Sequence, residues 1–424
     1  MRRLLSSLLL CLALPAGAQE FTTYKGHGGP IMGLVVTRDG TLASASFDNA
    51  VGIWTGQVPR WLEGHDAAVT AIAEGVDGSL ITGGDDFAIW HWGDTPRKIG
   101  QHKGKVTSLA AAPDGTAIAS GSWDGDIILW PLGQGAPVTL PYAGAGVNAV
   151  AYSADGAALF ATTSKGDLLR YDMETRDTPR PMVRHGFGIN RLHVGDGWVA
   201  YGAVDGGTRV IDAESSAQIA DFTLDRRPIL AMTHHAATGQ LAIGDGEGHI
   251  MMVDTNDWRI TRDFRAMRQG PVWALAFSSA GDVIHAGGID DVIYAWPVAL
   301  LDTYDPAGGD TRSFLRDANT MSNGERQFMR KCSICHSLEA GPSRKAGPTL
   351  HGVFDRPAGA LPGYRYSPIL EGSDIIWTDT TIDALFDQGP DHYIPGSKMP
   401  MQVIAQPQDR ADLIAFLRTA TNKE

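Results

Sequence analysis

The chain has 424 residues, 43% of them hydrophobic, with 51 glycines and a formal net charge of −13. That length exceeds one ordinary compact core and implies division into domains. Glycine at this level points to frequent turns and little long helix, and the acidic balance disfavours nucleic acid as a partner.

Taken in order, Met1-Arg2-Arg3 and the leucines from Leu4 to Leu14 form a basic end and a short apolar run. Ala16-Gly17-Ala18 follows as an A-x-A cleavage signal, so residues 1–18 read as a signal peptide and the mature chain is expected to start at Gln19 in the periplasm. The apolar run is too short to span a bilayer, and Leu10 stands where a lipid anchor on Cys11 would need a small residue. Of the three cysteines, cleavage leaves only Cys332 and Cys335. No later segment is apolar and long enough to cross a membrane, so no integral membrane segment is expected after cleavage.

From Phe21 to about Val298 the sequence repeats with a period of about 40 residues. Each unit carries a loop with glycine or histidine, an apolar strand, an Asp-Gly-like turn, a strand of small residues and an Asp turn. It closes on Trp54, Trp92, Trp130, Tyr171, Ile211, Val253 or Trp296, which makes seven. Six residues before these lie Asp48, Asp86, Asp124, Lys165, Asp205, Glu247 and Asp290, a marker independent of the residues that set the register. His27, His65, His102 and His185 occupy the loops that start their own units.

These features resemble the WD-repeat family, in which a loop histidine, a turn aspartate and a strand tryptophan join in one hydrogen-bonded arrangement per blade. The likeness is strong in units one to three and seven, and degraded in four to six, where the Trp is lost. It implies an all-β, seven-bladed β-propeller over residues 19–300 with four strands per blade. Phe21-Thr22-Thr23-Tyr24 matches the segment that follows each closing residue, and is therefore expected to form the outer strand of the last blade, beside Val292 to Val298. Quinone-dependent alcohol dehydrogenases and haem-binding nitrite reductases use eight blades with other repeats, which argues against a catalytic propeller. Residues 19–309 carry a net charge of −14 and residues 310–424 a net of −1, so the propeller is the acidic part and could steer a basic protein partner.

Residues 301–318, with Asp305-Pro306-Ala307-Gly308-Gly309, have linker character. In the domain from 319 to 424, Ser322 and Glu325 open a helix as a capping box, and Gly324 and Phe328 fall on one face of it. That helix runs into Cys332-Ser333-Ile334-Cys335-His336, the C-x-x-C-H spacing by which a haem is fixed covalently. A disulfide or half a zinc site are the competing readings, and zinc needs further ligands nearby. A second helix spans Asp379 to Gln388 and a third begins at Pro407, with Leu413, Phe416 and Leu417 on one stripe.

Three blocks in order, Gly347-Pro348-Thr349-Leu350-His351-Gly352-Val353, Tyr393 to Met399 and Asp412 to Leu417, make this domain similar to class I cytochrome c of the mitochondrial type. The resemblance implies an all-α domain with one haem c on thioethers to Cys332 and Cys335, and His336 and Met399 as axial ligands. Met401 is a rival to Met399. By the same match the Pro348 carbonyl accepts the second ring N–H of His336, and Arg356, Tyr366, Trp377 and Ser397 hold a haem propionate. Asp391 and His392 stand where the family often has lysines, so its usual partners are not implied. The expected function is one-electron transfer, with the propeller docking a redox partner protein. The alternative is a redox enzyme whose propeller holds a substrate site and passes electrons to the haem domain.

Overall fold

A computed structural model describes residues 21–301 and 320–421, apart from positions 225, 227, 268, 269 and 342. The signal peptide at 1–18 and all of the linker but Leu301 lie outside the described residues.

Each repeat alternates short runs of β-branched and small residues with turns at Gly or Asp, and each becomes an antiparallel meander. Blade one comprises Ile31–Val36, Leu42–Ser46, Ala50–Trp54 and Pro59–Glu63, from the propeller axis outwards. Among the described residues there are seven such four-stranded sheets. The seventh contains Val272–Phe277, Val283–Gly288 and Val292–Pro297, and takes its fourth strand, Thr22–Lys25, from the start of the chain. Thr22 faces Ala295 and Lys25 faces Val292, as the repeat boundaries predict. This exchange ties the two ends of the propeller together and removes a free sheet edge. At the same junction, a Cβ on Gly287 would lie 2.5 Å from Cγ2 of Ile31, so only glycine lets blade seven close on blade one.

The innermost strand of every blade carries a bulge after its first residue, as between Val69 and Ala71 or Val106 and Ser108. The extra residue leaves the ladder, and its side chain is free to reach sideways. Thr70 uses that freedom to donate to the Val106 carbonyl at 2.5 Å and Thr107 to that of Val147 at 2.7 Å. Asn148 and Asn190 do the same to Ile189 and Ile229. Neighbouring blades are thus stitched by hydrogen bonds as well as by the apolar side chains between their faces.

In blades one to three the repeat histidines form the expected arrangement, with one member that spacing did not reveal. Nδ1 of His65 meets the Asp86 carboxylate at 3.0 Å and Nε2 lies 2.7 Å from the Thr82 hydroxyl, to which Trp92 donates its indole N–H at 2.8 Å. Ser44 and Ser120 stand in the place of Thr82 in blades one and three. Burial alone would raise the Asp86 carboxyl, but bonds from His65 and from the N–H groups of Asp66 and Ala88 outweigh it and hold its pKa below the ordinary value. Where the pattern degrades, other groups take over. In blade six the turn carboxylate that accepts backbone N–H groups is Asp245, not Glu247. In blade four Lys165 donates to the Gly144 carbonyl and the Tyr171 hydroxyl to that of Pro141. Tyr171, Ile211, Val253 and Trp296 are all buried, so the closing positions remain core although only the unit of Ile211 keeps its loop histidine, His185, bonded to Asp205 at 2.9 Å.

The C-terminal domain is helical: α1 (Asn323–Lys331), α2 (Pro368–Glu371), α3 (Asp379–Gln388), α4 (Pro390–Tyr393) and α5 (Pro407–Ala420). Ser322 caps α1 by accepting the N–H of Glu325 at 3.2 Å. A Cβ on Gly324 would run into the Asp412 carbonyl, and Phe328 lies 5.7 Å from Phe416, so α1 and α5 cross at close range on the faces read from the sequence. Buried Arg410 joins α5 to α3 through Asp383 at 2.8 Å and Asp387 at 3.0 Å.

Candidate functional site

The end of α1 sets the first wall of the site. Its C-cap turns the chain so that the N–H groups of Cys335 and His336 both reach the Cys332 carbonyl, at 3.0 and 2.8 Å. This tight turn presents Cys332, Cys335 and His336 to one cavity of about 500 Å³. Both thiols are free, and burial pushes them up, Cys332 to about 12 and Cys335 to about 11.

His336 is half-buried, and its Nδ1 lies 2.8 Å from the Pro348 carbonyl, as the sequence reading expects. Desolvation by burial lowers its pKa and keeps the ring neutral. A neutral ring that donates from Nδ1 has a lone pair on Nε2, the state required of a metal ligand. The ring has this position because residue 347 is glycine: a Cβ there would lie 2.5 Å from Cε1 of His336.

The facing wall comes from the loop after α4. Gly396, at φ 86°, makes the turn, the N–H of Ser397 bonds to the Ile394 carbonyl, and Ser397 Oγ accepts the N–H of Met399 at 3.1 Å. Met399 lines the cavity. Its rival Met401 is 52% exposed and leans on Gly389, away from the cavity lining. Leu385, Phe386 and Ile394 supply apolar surface between the walls.

Arg356, Tyr366 and Trp377 also line the cavity, together with Ser397. Arg356 is anchored by donating to the carbonyls of His351 at 3.0 Å and Thr349 at 2.9 Å. Desolvation by partial burial lowers its pKa, against a smaller opposing effect of the Tyr366 hydroxyl. Beside it the Ser367 hydroxyl is buried and has no hydrogen-bond partner among the described residues. A half-buried cation and an orphaned hydroxyl fit a flat apolar group that carries carboxylates, as haem does. The sequence reading missed Ser367, because a serine before a proline reads as an ordinary helix start. It also missed Tyr364, whose hydroxyl donates to the Ala346 carbonyl at 2.6 Å and whose ring packs on Tyr366.

The remaining wall was unexpected: it belongs to the propeller. Asn49, Asp66, Ala67 and Asp86, from the loops and turns of blades one and two, line the same cavity.

The cytochrome c family profile matches residues 321–421, and the WD domain, G-beta repeat profile matches residues 18–55, 56–93 and 93–131. The chain is 43% identical over 102 residues to the cytochrome c of Sesamum indicum, which covers 24% of this chain and 90% of that protein. It is 42% identical over 99 residues to the cytochrome c of Gossypium barbadense (23% and 87%), and 40% over 101 residues to that of Ginkgo biloba (24% and 88%).

Proposed function

The chain belongs to the cytochrome c family through its C-terminal domain, and we propose that it is a periplasmic carrier of single electrons. In this reading one haem c is held by thioethers to Cys332 and Cys335, with His336 and Met399 as the axial pair. The observation that carries it is that both thiols, the imidazole and the thioether line one cavity. A haem so bound supplies one-electron exchange at an iron with no open position, and Met ligation raises its potential relative to two histidines.

The protein's own groups do the rest. The Pro348 carbonyl fixes the His336 tautomer and raises its basicity. Arg356, Ser367, Tyr366, Trp377 and Ser397 line the cavity, and in this reading they would offer the haem carboxylates donors and a wall against water. The WD40 propeller serves protein interaction, and a redox partner docked on it meets the tethered haem domain at raised effective concentration.

Replacing the ligand tests the site. Met399→Ala is expected to abolish the absorption of thioether-ligated ferric haem and to let added imidazole bind the iron. An unchanged spectrum would move the role to Met401. The compartment is tested by sequencing the protein from a periplasmic fraction, which should begin at Gln19.

A further inference from the structure

The contact between the propeller and the haem domain is built from charge and shape together. Asp66, in the loop before blade two, takes Arg365 at 3.1 Å and Lys398 at 3.4 Å on one carboxylate oxygen. Arg365 also donates to the carbonyl of the repeat histidine His65 at 3.1 Å. On blade one, Glu63 pairs with Arg344 at 2.9 Å, and the Arg344 guanidinium stacks 4.0 Å from the Trp61 ring. Trp61 is held in turn edge-on against His27, at 4.7 Å.

The backbones fit as closely. A Cβ on Gly28 would lie 2.8 Å from the Lys345 nitrogen, and closer still to the Arg344 carbonyl. The φ of Gly28 is not in the left-handed region, so it is the approach of the haem domain that leaves no room for a side chain there.

We propose that this face of blades one and two is a built-in electrostatic cap on the haem crevice. It holds the place an acidic redox partner would take, and it must be vacated before a partner protein reaches the haem edge. This rests on the electron-carrier reading above. Four cations of the haem domain, Arg344, Arg365, Lys398 and Lys345, sit at or beside the contact, against the more acidic part of the chain. The cap reaches the crevice itself, since Asp66 both forms the ion pairs and lines the cavity.

The pairs are exposed, and that makes the cap a latch rather than a permanent weld. The side chains of Asp66 and Arg365 are 56% and 65% exposed, so water and salt screen their attraction. While the latch is closed, the rate of electron exchange is lowered by the fraction of molecules that are open.

The test uses the full-length, haem-loaded protein and a neutral quinone as oxidant, so that salt acts on the domain contact and not on the encounter. Haem oxidation by stopped flow should speed up about tenfold between roughly 10 mM and 500 mM salt, the span over which screening becomes complete at this range. Asp66→Arg should give the fast rate already at low salt, with small-angle scattering showing the domains moved apart. If that variant does not accumulate, Gly28→Val gives the same readings by steric exclusion. The proposal is overturned if the wild-type rate is indifferent to salt and to these substitutions while the haem spectrum is that of a His/Met site. It is equally overturned if scattering finds the domains apart in the wild type at low salt. An abnormal haem spectrum would instead defeat the carrier reading.

Discussion

In blade two the ring of His65 is enclosed by partners from its own repeat, Asp86 on one nitrogen and Thr82 on the other, with Trp92 closing the chain. In the haem domain His336 has one nitrogen on Pro348, while a cavity of about 500 Å³ lies alongside with a half-buried cation and a hydroxyl without a partner among the described residues. The first histidine has both nitrogens engaged within its repeat, and the second lines a cavity with one nitrogen on a backbone carbonyl. The repeat histidine of blade two is therefore satisfied within its own repeat, whereas the helical domain surrounds a cavity that its own side chains do not fill. The difference teaches where each half's stability comes from, and it can be broken at several points.

The largest expected effect is loss of the covalent attachment. Cys332→Ser with Cys335→Ser should abolish the cooperative unfolding of the helical domain, seen as lost helical circular dichroism, and leave the propeller's own transition in place. A single transition that vanishes as a whole would mean that the propeller too depends on haem.

Acid should act on the propeller next. Burial lowers the pKa of His193 to about 3 and of His285 to about 4, so both stay neutral when folded but protonate near their ordinary value when unfolded. The unfolded chain then binds more protons, and stability must fall as pH drops from about 6.5 towards 4, by roughly 3 kcal/mol for His285 alone. Urea melts at pH 7 and pH 4.5 check this, and His285→Gln should flatten the dependence. The lowered carboxyl pKa of Asp86 has the same sign, with its share lost below the ordinary carboxylate value.

Breaking the closed hydrogen-bond chain comes third. Thr82→Val keeps the volume but strands Nε2 of His65 and the indole N–H of Trp92, and should cost about 2 kcal/mol in the propeller transition only. Ser367→Ala sharpens the contrast from the other side. Its hydroxyl has no described partner, so the apoprotein should be unaffected, while the haem-loaded domain should lose about 1 kcal/mol in a thermal melt.

Much of this was legible in the sequence. A repeat of about 40 residues, with aspartate six places before five of the seven closing residues, gives seven blades, because the fold copies one local pattern seven times. The exchange of Phe21 to Tyr24 into the last blade follows from where that pattern starts. The C-x-x-C-H run and the loop to Met399 mark the site, because attachment and ligation need particular residue types at fixed spacing.

Tertiary structure decided the remainder. Thr82 and its serine counterparts are common in strands, and only folding places their hydroxyls between a histidine and a tryptophan. Asp245 replaced Glu247 because a carboxylate's role depends on which N–H groups it faces, not on its offset. Ser367 became informative only when buried without a partner. Above all, Glu63, Asp66, Arg344 and Arg365 are lone charges with no period or motif, and nothing in the chain's order pairs residues about 300 positions apart. Their meeting over the haem crevice depends on how two separately encoded domains pack, which is the one relation that local patterns cannot carry.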